Sequence, residues 1–111
     1  KMGRYISTTG TAGVSTKIVS TTHQAAVNER ILANSSSGTF TITLPANASL
    51  LINDTIQIID ANASFGTNAV TDARNSSLIQ VSADDLTLDL NGAIVTLIYT
   101  GATYGWVVGA V

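Results

Sequence analysis

Hydrophobic and polar positions alternate along most of this chain. The clearest case is Thr39–Leu44, where Phe40, Ile42 and Leu44 fall on one side and Thr39, Thr41 and Thr43 on the other. Thr55–Asp60 repeats the pattern with Ile56 and Ile58. Glu29–Asn34 centres on Ile31 and Leu32, and Ala69–Arg74 is a weaker strand with Val70 inward. Between Glu29–Asn34 and Thr39–Leu44 lies the turn Ser35-Ser36-Ser37-Gly38, so these two runs read as a hairpin. Pro45 ends it, having no N–H for a ladder. Asn53-Asp54 is a turn, Phe65 is placed to plug the core from a loop, and Asn75-Ser76-Ser77 turns the chain into Leu78–Val81.

The organising stretch is Leu86–Trp106. Two strand-like runs flank Asn91-Gly92, the pair best suited to the positive φ angles of a type I′ turn. Pairing Leu90 with Ala93 sets Leu88 against Val95, Leu86 against Leu97 and Asp84 against Tyr99. A second turn, Thr100–Gly105, then pairs Tyr99 with Trp106 and Leu97 with Val108. The result is a C-terminal three-stranded meander. Its middle strand carries Ile94, Thr96 and Ile98 opposite its core face, so both sides are apolar and Ile94, Thr96 and Ile98 become candidates for a subunit interface.

Upstream, residues 1–22 are rich in Thr, Ser and Gly. They read as a polar arm or as edge strands, with short candidates at Tyr5-Ile6 and Lys17–Val19, and such an arm could clasp a neighbour. Thr22–Val27 is expected to form one helical turn. No stretch sustains a 3.6-residue period. About eight short strands, spaced by turn signals, imply an all-β fold over residues 23–111: an antiparallel β-sandwich or flattened barrel, jelly-roll-like.

Composition agrees. Of 111 residues 45% are hydrophobic and 11% charged, Ser, Thr and Asn make up roughly a third, and there is no Cys. Hydroxyl-rich strands fit this better than helices do. So few charges on so apolar a chain point to surface buried in an assembly. The net charge of −2 and the scatter of Lys1, Arg4, Lys17, Arg30 and Arg74 disfavour nucleic acid. No apolar run reaches membrane-spanning length and no signal peptide is visible. A start at Lys1 suits a processed product or part of a longer polypeptide.

Catalytic chemistry is hard to assemble. His23 is the only histidine, so a Ser/His/Asp triad would depend on it alone. Asp85 and Asp89 share one side of a strand and Asp84 the other, which reads as a solvated face; oxygen ligands for Ca²⁺ at Asp60-Ala61-Asn62 or Asp84-Asp85 are the alternative, without EF-hand spacing. The expectation is therefore no catalytic residue, no metal and no cofactor. For carbohydrate, Tyr104 and Trp106 could stack on a sugar ring and Arg74 could meet a glycan carboxylate, although a Trp closing a meander is more often core.

Several of these elements, in order, resemble a β-domain of tailed-bacteriophage virion structural proteins of the tail-fibre or head-fibre type. They are Thr43-Leu44-Pro45, Asp60 at a strand end, Phe65-Gly66-Thr67-Asn68, Ala73-Arg74-Asn75, Leu86–Asp89 with Gly92, Val95, Leu97 and Tyr99, and the final Gly105-Trp106. The resemblance covers about Arg30 to Val107. Three positions depart from the pattern. Asn53 stands for a Gly and can adopt the same left-handed backbone. Ser76 replaces another Gly. Asp72 stands for Val, which suggests a solvated strand face or a partner such as Arg74. The resemblance implies a non-enzymatic virion module, made in the host cytoplasm and placed on the particle surface. It also implies self-association, often as a homotrimer, and contact with other virion proteins. A receptor-binding tip for host-surface glycan is the alternative, and a hydrolase a distant third.

Overall fold

The computed structural model describes residues 13–110. Lys1–Ala12, including Tyr5-Ile6, lie outside the described residues, as does Val111. Nine strands form among the described residues: β1 Ser15–Val19, β2 His23–Gln24, β3 Glu29–Ala33, β4 Phe40–Thr43, β5 Thr55–Asp60, β6 Val70–Ala73, β7 Leu86–Leu88, β8 Ile94–Tyr99 and β9 Trp106–Ala110. A 3₁₀ turn at Asn47–Ser49 is the only helical element among the described residues. The fold is an all-β sandwich of two sheets. One has the strand order β9-β8-β5-β3-β1 and the other β2-β4-β6-β7.

The sheets are mixed, not antiparallel. β1, β3 and β5 are parallel neighbours in one sheet, and β2, β4 and β6 are parallel neighbours in the other. Successive strands therefore alternate between sheets, and the first six wind as three turns of a flattened coil. Parallel neighbours require a crossover; here each crossover is a strand of the opposite sheet. Glu29–Ala33 and Phe40–Thr43 accordingly do not form the expected hairpin. The turn between them carries the chain across the sandwich and stacks on the corresponding turn of the next coil. Buried Ser35 bonds Ser64 Oγ through both its N–H, at 3.2 Å, and its hydroxyl, at 3.0 Å, and its carbonyl accepts Asn68 Nδ2 at 2.9 Å.

Asn91-Gly92 is likewise a corner between sheets and not a hairpin. Leu86 and Leu88 pair with Asp72 and Val70, while Val95 and Leu97 pair with Ile58 and Ile56. The backbone of the turn fits this role. Gly92 has φ +74 but Asn91 is not left-handed, and Ala93 N–H reaches Leu90 O at 3.2 Å. One positive φ, at the third position, is type II geometry, which does not match the twist of a two-strand ribbon. Asn91 instead accepts Gly66 N–H on Oδ1 at 2.7 Å. The second reversal is as expected, with Tyr99 opposite Trp106 and Leu97 opposite Val108. The expected three-stranded C-terminal meander therefore does not form: only its second reversal does, and β5, not the 86–90 run, pairs with β8 on the other side.

Strand faces follow the alternation. Phe40, Ile42, Leu44, Ile56, Ile58 and Val70 are buried, and Phe65 is fully enclosed. Each such aliphatic contributes about 1.5–3 kcal/mol through its burial. Two local expectations fail. Residues 22–27 contain β2, which is recruited by parallel pairing to β4, instead of a helical turn. Leu78–Val81 is no strand; Ile79 makes isolated bridges to Ser82 and Trp106. β1 is an edge strand of the five-stranded sheet, paired along its length with β3.

Candidate functional site

The interface candidates Ile94, Thr96 and Ile98 project from the outer face of the five-stranded sheet. Register places each in a row that crosses the strands. Ile94 continues a row of Ile18, Leu32 and Ile59. Thr96 lies in line with Arg30 and Gln57, joined by Arg30 Nε to Gln57 Oε1 at 2.9 Å and Gln57 Nε2 to Thr96 Oγ1 at 3.2 Å. Ile98 sits between Thr55 and Val107. Ile18 is 85% exposed, and Ile98 and Val107 are 40% and 43% exposed. Arg30 is the only charged residue among the outward positions of these five strands, and a shallow groove of about 130 Å³ runs beside it past Gln57 and Thr96. Leu51 and Ile52 are also exposed, in the loop whose Asn53 N–H donates to Tyr99 O beside Ile98 in the chain. The structure thus brings the three candidates onto one nearly uncharged face.

The glycan candidates are not assembled in this way. Trp106 is fully buried and packs edge-on to Tyr99 with ring centroids 5.4 Å apart, so it offers no stacking surface. Its position opposite Tyr99 on the core face withdraws it. Arg74 is half-buried and donates Nη1 to Ser77 O at 3.0 Å across its own turn. Tyr104 alone projects, 58% exposed, from the Gly101–Gly105 loop.

His23 is held by Glu29, Nε2 to Oε1 at 2.9 Å; the same oxygen accepts Ala26 N–H at 3.1 Å. Glu29 is buried, so the pair ties the first coil to the second. Among the described residues no three His, Cys, Asp or Glu side chains converge. Asp60 reads as a clamp more than as a cation ligand. Its Oδ1 accepts Ser64 N–H at 3.0 Å, and its Oδ2 accepts Phe65 N–H at 3.0 Å and Gly92 N–H at 2.9 Å. Burial raises its pKa, but bonds from Phe65, Ser64, Gly92 and Asn62 more than offset this, and the net direction is downward. Asp84 accepts Ser82 Oγ at 2.7 Å and Asp85 accepts Arg74 N–H at 3.0 Å.

Asp72 overturns its expectation. It faces the core between Ile42 and Leu86, is fully buried, and neither carboxyl oxygen has a protein partner. Arg74, two residues on, occupies the adjoining turn instead of pairing with it. Burial, and secondarily the charge of Asp85, push the Asp72 carboxyl up to about 8. The Asp60 clamp was missed in the sequence because its partners are backbone groups with no side-chain signature.

The chain matches no protein-family model and no curated protein.

Proposed function

We propose that this chain is a structural module of a phage virion, a fibre segment or capsid decoration, which self-associates through the outer face of its five-stranded sheet and has no catalytic role. The observation that carries the reading is that face: two apolar rows, Ile18–Leu32–Ile59–Ile94 and Ile98–Val107, flank a polar row with a single charge. Stable association buries about 800 Å² per partner, and this face with Leu51 and Ile52 beside it provides apolar surface for that purpose. The resemblance supports the virion assignment. Its separate motifs serve one framework, since Asp60 fastens both the Phe65-Gly66 loop and the Gly92 corner.

Sedimentation at micromolar concentration tests this. A species at three times the 11.4 kDa chain mass is expected, and Ile94→Glu with Ile98→Glu should reduce it to monomer while the fold persists. A monomeric wild-type chain would overturn the proposal. The exposure of Tyr104 favours a second reading, a receptor-binding tip for host-surface glycan. Binding on a glycan array that Tyr104→Ala abolishes, with the fold intact, would support that reading over the first.

A further inference from the structure

The sandwich is open along one side. There the last strand of the four-stranded sheet, β7, faces the last strand of the five-stranded sheet, β9. Between them lies a mainly apolar cleft of about 180 Å³, lined by Leu86, Leu88, Leu90, Ala93, Val95 and Val108, with Thr87 and Asp89 at its rim. Three of the hydrophobic residues that remain only partly covered by the core, Leu86, Ala93 and Val108, line this cleft, and Leu90 is 69% exposed.

The two strand edges are not equivalent. Gln80 closes that of β9: its side chain accepts Val108 N–H at 2.9 Å and its N–H donates to Trp106 O at 2.8 Å. β7 has no strand beyond it among the described residues. Its ends are acidic, with Asp84 and Asp85 before it and Asp89 after it, all exposed. Side chains alternate along this edge. Leu86 is half-buried and Leu88 buried at the cleft, while Asp85, Thr87 and Asp89 are exposed, Thr87 and Asp89 at the cleft rim.

From this geometry we infer that the β7 edge accepts an extended segment of another protein as a fifth strand of its sheet. The added strand places apolar side chains in the cleft and cations opposite Asp85 and Asp89. Directly opposed residues share a face, so the register specifies the chemistry: cation, apolar, polar, apolar, cation. The cations then sit four residues apart, about 13 Å at ~3.3 Å per residue. Backbone bonds to the strand edge supply affinity, and the cleft and acidic ends supply selectivity. These 111 residues hold no such segment: Lys1, Arg4, Lys17, Arg30 and Arg74 are their lysines and arginines, and no two are four residues apart.

The test uses the ¹⁵N-labelled full chain and two capped peptides, each with the core valine-threonine-valine, flanked by lysines in one and by glutamates in the other. The lysine peptide should give saturable shifts at the amides of residues 86–90 and 108. Its affinity should exceed that of the glutamate peptide by about tenfold, an advantage that shrinks between about 0.05 M and about 0.5 M salt. Asp89→Lys, an exposed substitution, should weaken the lysine peptide and favour one with glutamate at that end. Equal binding of both peptides, shifts elsewhere, or no saturable binding overturns the inference. So does concentration-dependent shifting of the same amides without peptide, which would assign the edge to a second copy.

Discussion

Asp72→Asn isolates the least comfortable group in the core. In the folded chain the Asp72 carboxyl titrates near 8, against 3.8 for an unconstrained aspartate. The protonated form is therefore the one the fold accepts. Its contribution to stability is full below about pH 4 and declines as the unfolded chain ionises and the folded chain does not. Above about pH 8 the decline stops. Each pH unit in that window is worth about 1.4 kcal/mol, so roughly 4 units give an upper bound of about 6 kcal/mol. Asn has nearly the same shape and cannot ionise, so the substitution removes the slope. Urea melts at pH 5, 6.5 and 8 should show the variant gaining on wild type as pH rises, by several kcal/mol at pH 8. Asp72→Val, which also removes the unpaired oxygens, should do at least as well. This window lies above the range in which Asp60 acts: with its pKa lowered, its stabilisation is lost only as pH falls below about 4. Parallel pH dependence in wild type and Asp72→Asn would refute the reasoning.

Four further substitutions probe the framework. Asp60→Asn removes the charge from a group that accepts three backbone N–H bonds; a loss of about 3 kcal/mol is expected at pH 7, and calorimetry at pH 7 and below 4 should show the loss shrinking in acid. Gly105→Ala should abolish folding, because its φ is +75 and an added Cβ would lie 2.0 Å from Leu78 O. Gly92→Ala meets no atom within 4 Å and should cost only the left-handed backbone penalty of about 1–2 kcal/mol, so circular dichroism melts of the two variants should differ sharply. Val81 holds φ +64 in an exposed turn, a conformation strained for a β-branched residue; Val81→Gly should raise the urea midpoint, by about 1 kcal/mol in stability.

Most of the strands, and which way they face, could be read from the chain alone; β2, the 78–81 stretch and the face of Asp72 were not. Phe40, Ile42, Leu44, Ile56, Ile58 and Val70 are buried as their alternation indicates, because a period of two is a local property of extended backbone. The Tyr99–Trp106 register was legible for the same reason, since its two strands are joined by a short loop. Asn53 also adopts the left-handed backbone its turn required, at φ +81. Of the candidate surface, the outward set Ile94, Thr96 and Ile98 was legible.

Apart from the β8–β9 pair, strand partners were decided only by the tertiary structure. Ser35–Gly38 and Asn91-Gly92 have hairpin composition, yet both carry the chain between sheets, because Ser64, Asn68, Gly66 and Asp60 offer them hydrogen bonds from distant loops. The same nonlocal contacts set β1, β3 and β5 side by side and so drew Ile18, Leu32 and Ile59 into line with Ile94. They also enclosed Asp72, which shares the inward face of Val70 by alternation although its carboxylate argued for water. Alternation acts between adjacent residues, whereas pairing and burial depend on which distant groups the folded chain brings within reach.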